Sequence, residues 1–273
     1  MIKSPDLSII IVSFNTRELL KNCLKSLMAY GQWLMANGEV IVIDNASKDS
    51  SSEMVKKEFP KVKLIVNKHN LGFATANDQG IKASKGESVF LLNSDTEVKP
   101  GALEKLVEFI QSHSEVGVIG ARLLNPDGSI QPSVYHFPTI WRVIKEYWFG
   151  LKGSYEKYVP MFEKEVEVEA VTGAAMLIPK KTIERIGYLN ERYFFYFEDL
   201  DYCRRVRRAG FKVFYLPTAE ILHHHGQSAA KAGSKAYQYL VQSSKIYNGT
   251  LKYWLLTSVI WTGQKWQKIF GKN

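Results

Sequence analysis

The residues best placed to do chemistry fall in a few polar clusters. In Leu91-Leu92-Asn93-Ser94-Asp95-Thr96 an apolar run ends in a polar step closed by a carboxylate. A diphosphate brings charge that must be neutralised, and a hard cation such as Mg or Mn, shared between Asp95 and phosphate oxygens, would do that. The plainer alternative is a capped turn before Pro100-Gly101. Glu198-Asp199-Leu200-Asp201 follows the aromatic run Tyr193 to Phe197. Acids in a first helical turn suit the helix dipole. Rings beside a carboxylate would also desolvate it and raise its pKa into the range of a general base, and Asp199 is the candidate. Asp201 is expected to pair with Arg204 or Arg205. In His223-His224-His225-Gly226, strand alternation puts His223 and His225 on one face; one of them would touch the diphosphate or its metal. Too few ligands are present for a zinc site.

Two further clusters suit ligand recognition. Asp44 closes a buried apolar run; Asn45 and Ser47 are available to cap the next helix, which frees Asp44 to meet a ribose or base. In Asn67 to Asn77, Gly72 allows a turn into a helix whose N-terminus could face a phosphate. Asn77 has no evident helical role.

These clusters need a scaffold, and the pattern supplies one. Leu7–Phe14 and Glu39–Asp44 read as buried strands, and Val62–Asn67 and Glu87–Asn93 as a third and a fourth strand. Thr16–Tyr30, Ser47–Phe59, Gly72–Ser84 and a segment from Pro100 to about His113 read as helices. The alternation predicts an α/β fold, a mostly parallel Rossmann-like sheet with helices on both faces. Ligands bind such sheets at the carboxyl ends of the strands, where Asn15, Asp44, Asn67–Gly72 and Asn93–Asp95 converge. The pattern changes after about Ile119: Val134–Tyr158 is aromatic and irregular, and Lys212–Leu216 and Ala219–His223 read as short strands separated by Pro217.

The chain has 273 residues, 45% of them apolar, enough to bury a sizeable core. Its net charge of +9 is concentrated at one end, since no Asp or Glu follows Glu220. Such an end favours an anionic partner; no nucleic-acid motif accompanies it, which leaves acidic lipid. Cys23 and Cys203 suggest neither a disulfide framework nor a metal site. With no signal peptide and no run of about 18 apolar residues, a cytoplasmic location is expected. Ser13-Phe14-Asn15-Thr16 lacks the glycines of a dinucleotide-dependent oxidoreductase or a nucleotidylyltransferase. A non-catalytic nucleotide-sugar or glycan-binding module would need neither Asp95 nor Asp199.

Together the pieces resemble family 2 glycosyltransferases of the GT-A fold, in particular their bacterial rhamnosyltransferase-like branch. The resemblance rests on Ser8–Asn15, Val42–Ser47, Asn70-Leu71-Gly72-Phe73-Ala74 with Asn77, Leu92–Thr96, Thr172–Met176, Glu198–Asp201 and His223–Ser228, over roughly Leu7 to Tyr247. It implies an inverting displacement in which Asp199 deprotonates an acceptor hydroxyl. It also implies that Ser13, Asn15, Asp44, Asn70 and Asn77, with Asn93 and Asp95, surround a nucleotide-sugar, dTDP-L-rhamnose first and a UDP-sugar second. Asp95, with His225 or His223, would hold the metal, and Gly173, Ala174 and Glu198 would lie on the acceptor side. Asn93 stands where the family's metal motif often has an acid. No Gln-x-x-Arg-Trp motif is present, which argues against a processive synthase. The implied role is cell-wall or polysaccharide biosynthesis.

The expected organisation is one GT-A domain over 1–249, with a nucleotide-sugar half (1–120) and an acceptor half (121–249), followed by an amphipathic basic helix over 250–273. Leu251, Trp254, Leu255, Val259, Trp266 and Ile269 recur at helical spacing beside Lys252, Lys265 and Lys268. That pattern suits docking on the inner leaflet, where a lipid-linked glycan acceptor would lie; the alternative is a homodimer or core-packing helix.

Overall fold

The computed structural model describes residues 5–224 and 234–270. The first half alternates as expected: β1 (Leu7–Ser13), α1 (Arg17–Met28), α2 (Gln32–Asn37), β2 (Gly38–Asp44), α3 (Ser51–Glu58), β3 (Lys63–Val66), α4 (Phe73–Ala83) and β4 (Ser88–Asn93). Next come β5 (Thr96–Val98), α5 (Ala102–Ser112), β6 (Val116–Leu124), β7 (Ile130–Gln131), β8 (Val134–Tyr135) and α6 (Ile140–Tyr147). The chain continues through β9 (Val166–Val168), β10 (Ala170–Val171), β11 (Ala175–Pro179), α7 (Lys180–Ile186), α8 (Glu198–Arg208) and β12 (Lys212–His223). Two helices end it, α9 (Ser234–Asn248) and α10 (Thr250–Phe270).

The main sheet runs β3-β2-β1-β4-β11-β6-β12-β5, and β8 and β10 form a separate pair. Strands β1 to β4 are parallel. Successive side chains of a strand point to opposite faces, and both faces here are covered. Ile9 and Ile11 enter the core shared with Leu20, Leu24 and Leu27 of α1 and Leu103 and Leu106 of α5. Ile10 enters the other, with Ala74 and Ala76 of α4 and Tyr202, Cys203 and Val206 of α8. A strand wanted by two cores must be apolar on both faces through its centre, which is why β1 carries the run Ile9-Ile10-Ile11-Val12.

Three features depart from the sequence expectation. β11 lies antiparallel between β4 and β6, so the sheet is mixed. The two short strands around Pro217 are one strand, β12, whose register with β6 shifts between Leu216 and Glu220; the bulge takes in a residue that cannot donate a ladder hydrogen bond. And β6 extends well past Ile119, with all nine residues buried. Its Gly117 and Gly120, which dilute the β-branched signal, give room to Phe211 and Val171; a Cβ at either would come within 2.6 Å of these side chains.

The C-terminal helix α10 packs on α6. Gly263 permits the approach, since a Cβ there would sit 2.7 Å from the Tyr147 carbonyl oxygen. Trp148 Nε1 donates to the Val259 carbonyl and its ring stacks on Trp266 at 5.7 Å. Tyr253 and Leu256 are buried, whereas Leu251, Trp254, Leu255, Trp261 and Ile269 are exposed. The apolar residues of this helix therefore divide between a packed face and an open one. No helix among the described residues is long and apolar enough to cross a membrane.

Candidate active site

The carboxyl ends of β1, β2 and β4 meet beside the N-termini of α3, α4 and α8, and their polar side chains are bonded to one another. Ser13 Oγ lies 3.0 Å from Thr16 Oγ1, which lies 2.9 Å from Ser94 Oγ. This hydroxyl chain is buried and ties the end of β1 to the turn after β4. Asn15, at φ 55°, accepts from the Lys48 amide at 2.7 Å, while its own N–H donates to Ser47 Oγ at 2.9 Å. The loops after β1 and β2 are thus clasped together.

Asp44 is almost fully buried. One oxygen, Oδ2, accepts from the Ser47 amide at 3.2 Å, and Oδ1 is buried with no hydrogen-bond partner. Burial pushes its pKa above the usual carboxylate value. So Asp44 both caps and keeps one oxygen unpaired. Asn45 is the hub of the neighbouring loop: its Nδ2 donates to Asn70 Oδ1 and the Gly72 carbonyl, and its Oδ1 accepts from Asn67 Nδ2 and the Leu71 amide. Asn70 Oδ1 also accepts from the Gly72 amide, so this side chain shapes the loop. Asn77 is buried, and its Nδ2 donates to the Phe73 carbonyl one turn back at 2.9 Å, a helical role that its sequence context does not reveal.

Asp95 is 2% exposed. Its Oδ1 receives no hydrogen bond and lies 3.3 Å from His223 Nε2. His223 Nδ1 lies 2.7 Å from Gln131 Oε1. Because Gln131 Nε2 donates to Asn125 Oδ1, its Oε1 is the acceptor, so the imidazole carries a proton on Nδ1 and turns Nε2 toward Asp95 and Asn93. Of the three consecutive histidines, His223 joins Asp95, and His224 turns to Glu97 Oε1 at 2.8 Å. His225 lies outside the described residues. Among the described residues no group of three or more His, Cys, Asp or Glu could enclose a metal. One carboxylate with a histidine and an amide beside it does fit a Mg- or Mn-type cation whose remaining ligands come from phosphate and water.

On the far side of β4, the Asn93 amide donates to the Ala174 carbonyl at 2.9 Å. The Gly173 amide donates to Asp199 Oδ2 at 3.1 Å, and the Leu200 amide to Asp199 Oδ1 at 2.7 Å. Asn93, Ala174, Gly173 and Asp199 are therefore linked in sequence, from the metal-motif strand to the candidate base. Burial raises the Asp199 pKa, against the lowering effect of its two N–H donors. Glu198 is pushed well above the carboxylate range by burial and then by the charge of Asp199. Asp201 pairs with both Arg204 and Arg205, at 2.9 and 3.0 Å.

The segment before α8 is strained. Tyr196 and Phe197 adopt φ values of 71° and 69°, each costing about 1–3 kcal/mol, a cost usually met only where the backbone serves a site. The strain turns the chain so that Glu198 and Asp199 open α8 facing β11. The aromatic run also reaches the donor side: the Phe73 amide donates to the Phe194 carbonyl at 2.7 Å, against Gly72. Two groups near the carboxylates escaped the sequence reading. Lys157 senses the charges of Asp199 and Glu198 while burial lowers its pKa, and its Nζ lies 5.3 Å from the Tyr135 ring. Tyr135 is half-buried, and desolvation together with the charges of the same acids raises its pKa. Both sit in the irregular stretch, where no local pattern marks them. Burial pushes the Cys23 and Cys203 thiols up to about 12, so neither is a nucleophile at neutral pH.

This sheet, its mixed central strand and the clustered strand ends define a GT-A fold, and solved structures agree. GalNAc-T7, in a crystal structure with UDP, GalNAc and Mn2+, superposes with a TM-score of 0.62 at 16% identity, covering 81% of this chain and 44% of that one. TarS from S. aureus superposes at 0.59 and 16% identity, covering 98% of this chain and 44% of that one. This chain thus spans under half the length of either structure. The sequence profile of glycosyl transferase family 2 matches residues 8–178, and the chain belongs to that family. Among curated relatives, the N-acetylglucosaminyl-diphospho-decaprenol L-rhamnosyltransferase of Mycobacterium tuberculosis is 29% identical over 213 residues, 70% of this chain and 68% of that one. The low-salt glycan biosynthesis hexosyltransferase Agl10 of Haloferax volcanii is 28% identical over 241 residues, 86% of this chain and 72% of that one.

Proposed function

We propose that the protein is an inverting, metal-dependent glycosyltransferase that moves L-rhamnose from dTDP-L-rhamnose to a hydroxyl of a lipid-linked or cell-surface glycan, working at the inner face of the membrane. The observation that carries this reading is the bonded path from Asn93 through Ala174 and Gly173 to Asp199, which sets a candidate base beside a candidate diphosphate site. The rhamnosyltransferase likeness favours the sugar. The exposed tryptophans of α10 favour the membrane.

In this reading the nucleoside lies over the ends of β1 and β2, where Asp44 Oδ1 is the unpaired acceptor for a ribose hydroxyl or base N–H. Asp95, with His223 and Asn93 beside it, would hold a divalent cation, which when bound neutralises diphosphate charge and eases its departure. Asp199 takes the acceptor proton. The Gly173 and Leu200 amides fix both its oxygens, so the carboxylate is oriented before the acceptor arrives. Burial and the neighbouring Asp199 both disfavour a second negative charge on Glu198. Lys157 helps to balance the charge of the pair.

A second reading, a UDP-sugar donor, is favoured by the likeness to GalNAc-T7 with UDP. Thermal melting of the protein with dTDP-, UDP- and GDP-sugars, with and without Mn, separates the two. A ligand of the folded state at about 100 times its Kd adds roughly 2.7 kcal/mol of stability. The expected result is a Mn-dependent rise with one dTDP-sugar that disappears in Asp95→Ala. Stabilisation without metal, and unchanged in Asp95→Ala, would overturn the role given to Asp95.

A further inference from the structure

Beside α8, a cavity of about 410 Å³ opens between α8, the α9–α10 junction and the Phe137-Pro138 turn. Its volume is within the roughly 300–1,000 Å³ of small-ligand sites. Arg204, Arg207, Arg208, Lys252 and Tyr247 line it. The turn is held in place: Glu169 accepts from the Phe137 amide at 2.7 Å and from Arg142, which donates to the Phe137 carbonyl at 3.0 Å.

The charges do not balance. Arg204 pairs with Asp201, which is shared with Arg205, and Arg207 pairs with Glu167, which is shared with Lys212. Lys252 Nζ donates to the Pro138 carbonyl at 2.9 Å. Among the described residues no carboxylate forms an ion pair with Arg208 or Lys252. Tyr247 is 7% exposed and its hydroxyl is buried with no partner, as is Arg204 Nε, while the Arg204 guanidinium lies 3.9 Å over the Tyr247 ring. Such a site is short of one compact anion with several acceptor oxygens. The first turn of α10 adds the second half of the argument, because Leu251, Trp254 and Leu255, which flank Lys252, are exposed.

We propose that this cavity binds the phosphate of a membrane lipid headgroup, with the lipid's acyl chains lying along the exposed face of α10. The proposal rests on the reading of α10 as a membrane-facing element and adds a discrete headgroup site to it. Burial and the charge of Arg204 hold Lys252 below the usual lysine pKa, a penalty that a bound phosphate would relieve.

The test uses the full chain, the double variant Arg208→Gln/Lys252→Gln, and a control of equal charge away from α10, Lys56→Gln/Lys57→Gln on the exposed face of α3. Each is sedimented with vesicles of phosphatidylcholine alone and of phosphatidylcholine with phosphatidylglycerol in equal parts, and melted with glycerol phosphate or inorganic phosphate. The expected result is binding to the phosphatidylglycerol vesicles that falls about thirtyfold in the cavity variant, from roughly fivefold per cation at a membrane surface. Glycerol phosphate should raise the melting temperature of the wild type and the control, and not of the cavity variant. Equal vesicle binding by wild type and cavity variant would overturn the headgroup site and leave the membrane reading standing. No vesicle binding by the wild type would overturn both. Stabilisation by inorganic phosphate without vesicle binding would make the cavity a soluble-phosphate site and overturn the lipid source.

Discussion

Asp199→Asn is the sharpest probe of the proposed chemistry, because the structure separates what the carboxylate does for catalysis from what it does for packing. Asparagine is nearly isosteric, but it keeps a single acceptor oxygen. The Gly173 and Leu200 amides each donate to one carboxylate oxygen, so the new NH2 group must face one of two N–H donors. Leaving a buried donor unsatisfied costs about 1–3 kcal/mol. Against this, the variant removes a buried carboxyl whose pKa is raised by desolvation and which pushes that of Glu198 higher still. The two effects oppose each other, so the melting temperature should move by only a few degrees, at about 2–4 °C per kcal/mol. Donor binding, which does not use Asp199, should persist. Turnover loses its general base, a loss of about 10²–10⁴ in kcat. The assay measures kcat by product formation and donor affinity by thermal shift on the same preparation. Turnover within tenfold of wild type would refute the base assignment. Loss of donor binding together with turnover would make Asp199 a structural post. Glu198→Gln, which mimics the protonated acid, should keep turnover within about tenfold.

Two other predictions follow from the fold. Gly72→Ala places a Cβ 2.6 Å from the Phe194 carbonyl oxygen at φ 84°, so backbone strain and overpacking should together cost about 2–5 kcal/mol, read from urea unfolding midpoints; an unchanged midpoint would contradict the close approach. Asp78 is buried under α4, accepts from the Leu189 amide, and has its pKa raised by burial to about 7. Its folded pKa exceeds its unfolded one, so the folded state binds the proton more tightly and stability falls as pH rises from about 4 to 7. Asp78→Asn, which keeps an acceptor for Leu189, should flatten that slope and raise the melting temperature at pH above about 7; a slope equal to that of wild type would refute it.

Strands β1, β2 and β4 were legible because strands buried on two faces must be apolar through their centre, and all three are. The ends of those strands carry the polar clusters, so the sheet model also located Asp44 and Asp95. The second half was less legible for definite reasons. Strands β5, β7 and β8 have two or three residues each, too few to show a period. β11 is as apolar as its neighbours β4 and β6, so its reversed direction leaves no mark in composition. The partnership of His223 with Gln131 joins residues 92 positions apart, and only the folded sheet brings them together. Asn45, Asn70 and Asn77 all bond to their own loop or helix, a part that the sequence does not reveal because an asparagine that shapes a loop and one that binds a ligand look alike until their hydrogen bonds are counted.

The reversed central strand has a consequence for the order in which the protein is made. β4 is flanked by β1 on one side and by β11 on the other, and β11 begins 82 residues after β4 ends. Until Ala175–Pro179 leave the ribosome, the nucleotide-side sheet carries an open edge along the apolar strand β4, a template for wrong pairing. The same strand delivers Gly173 and Ala174 to Asp199 and Asn93. Closing the edge therefore also sets Gly173 and Ala174 in place, so that Asp199 and His223, which follow Pro179 in the chain, dock on a strand that is already paired.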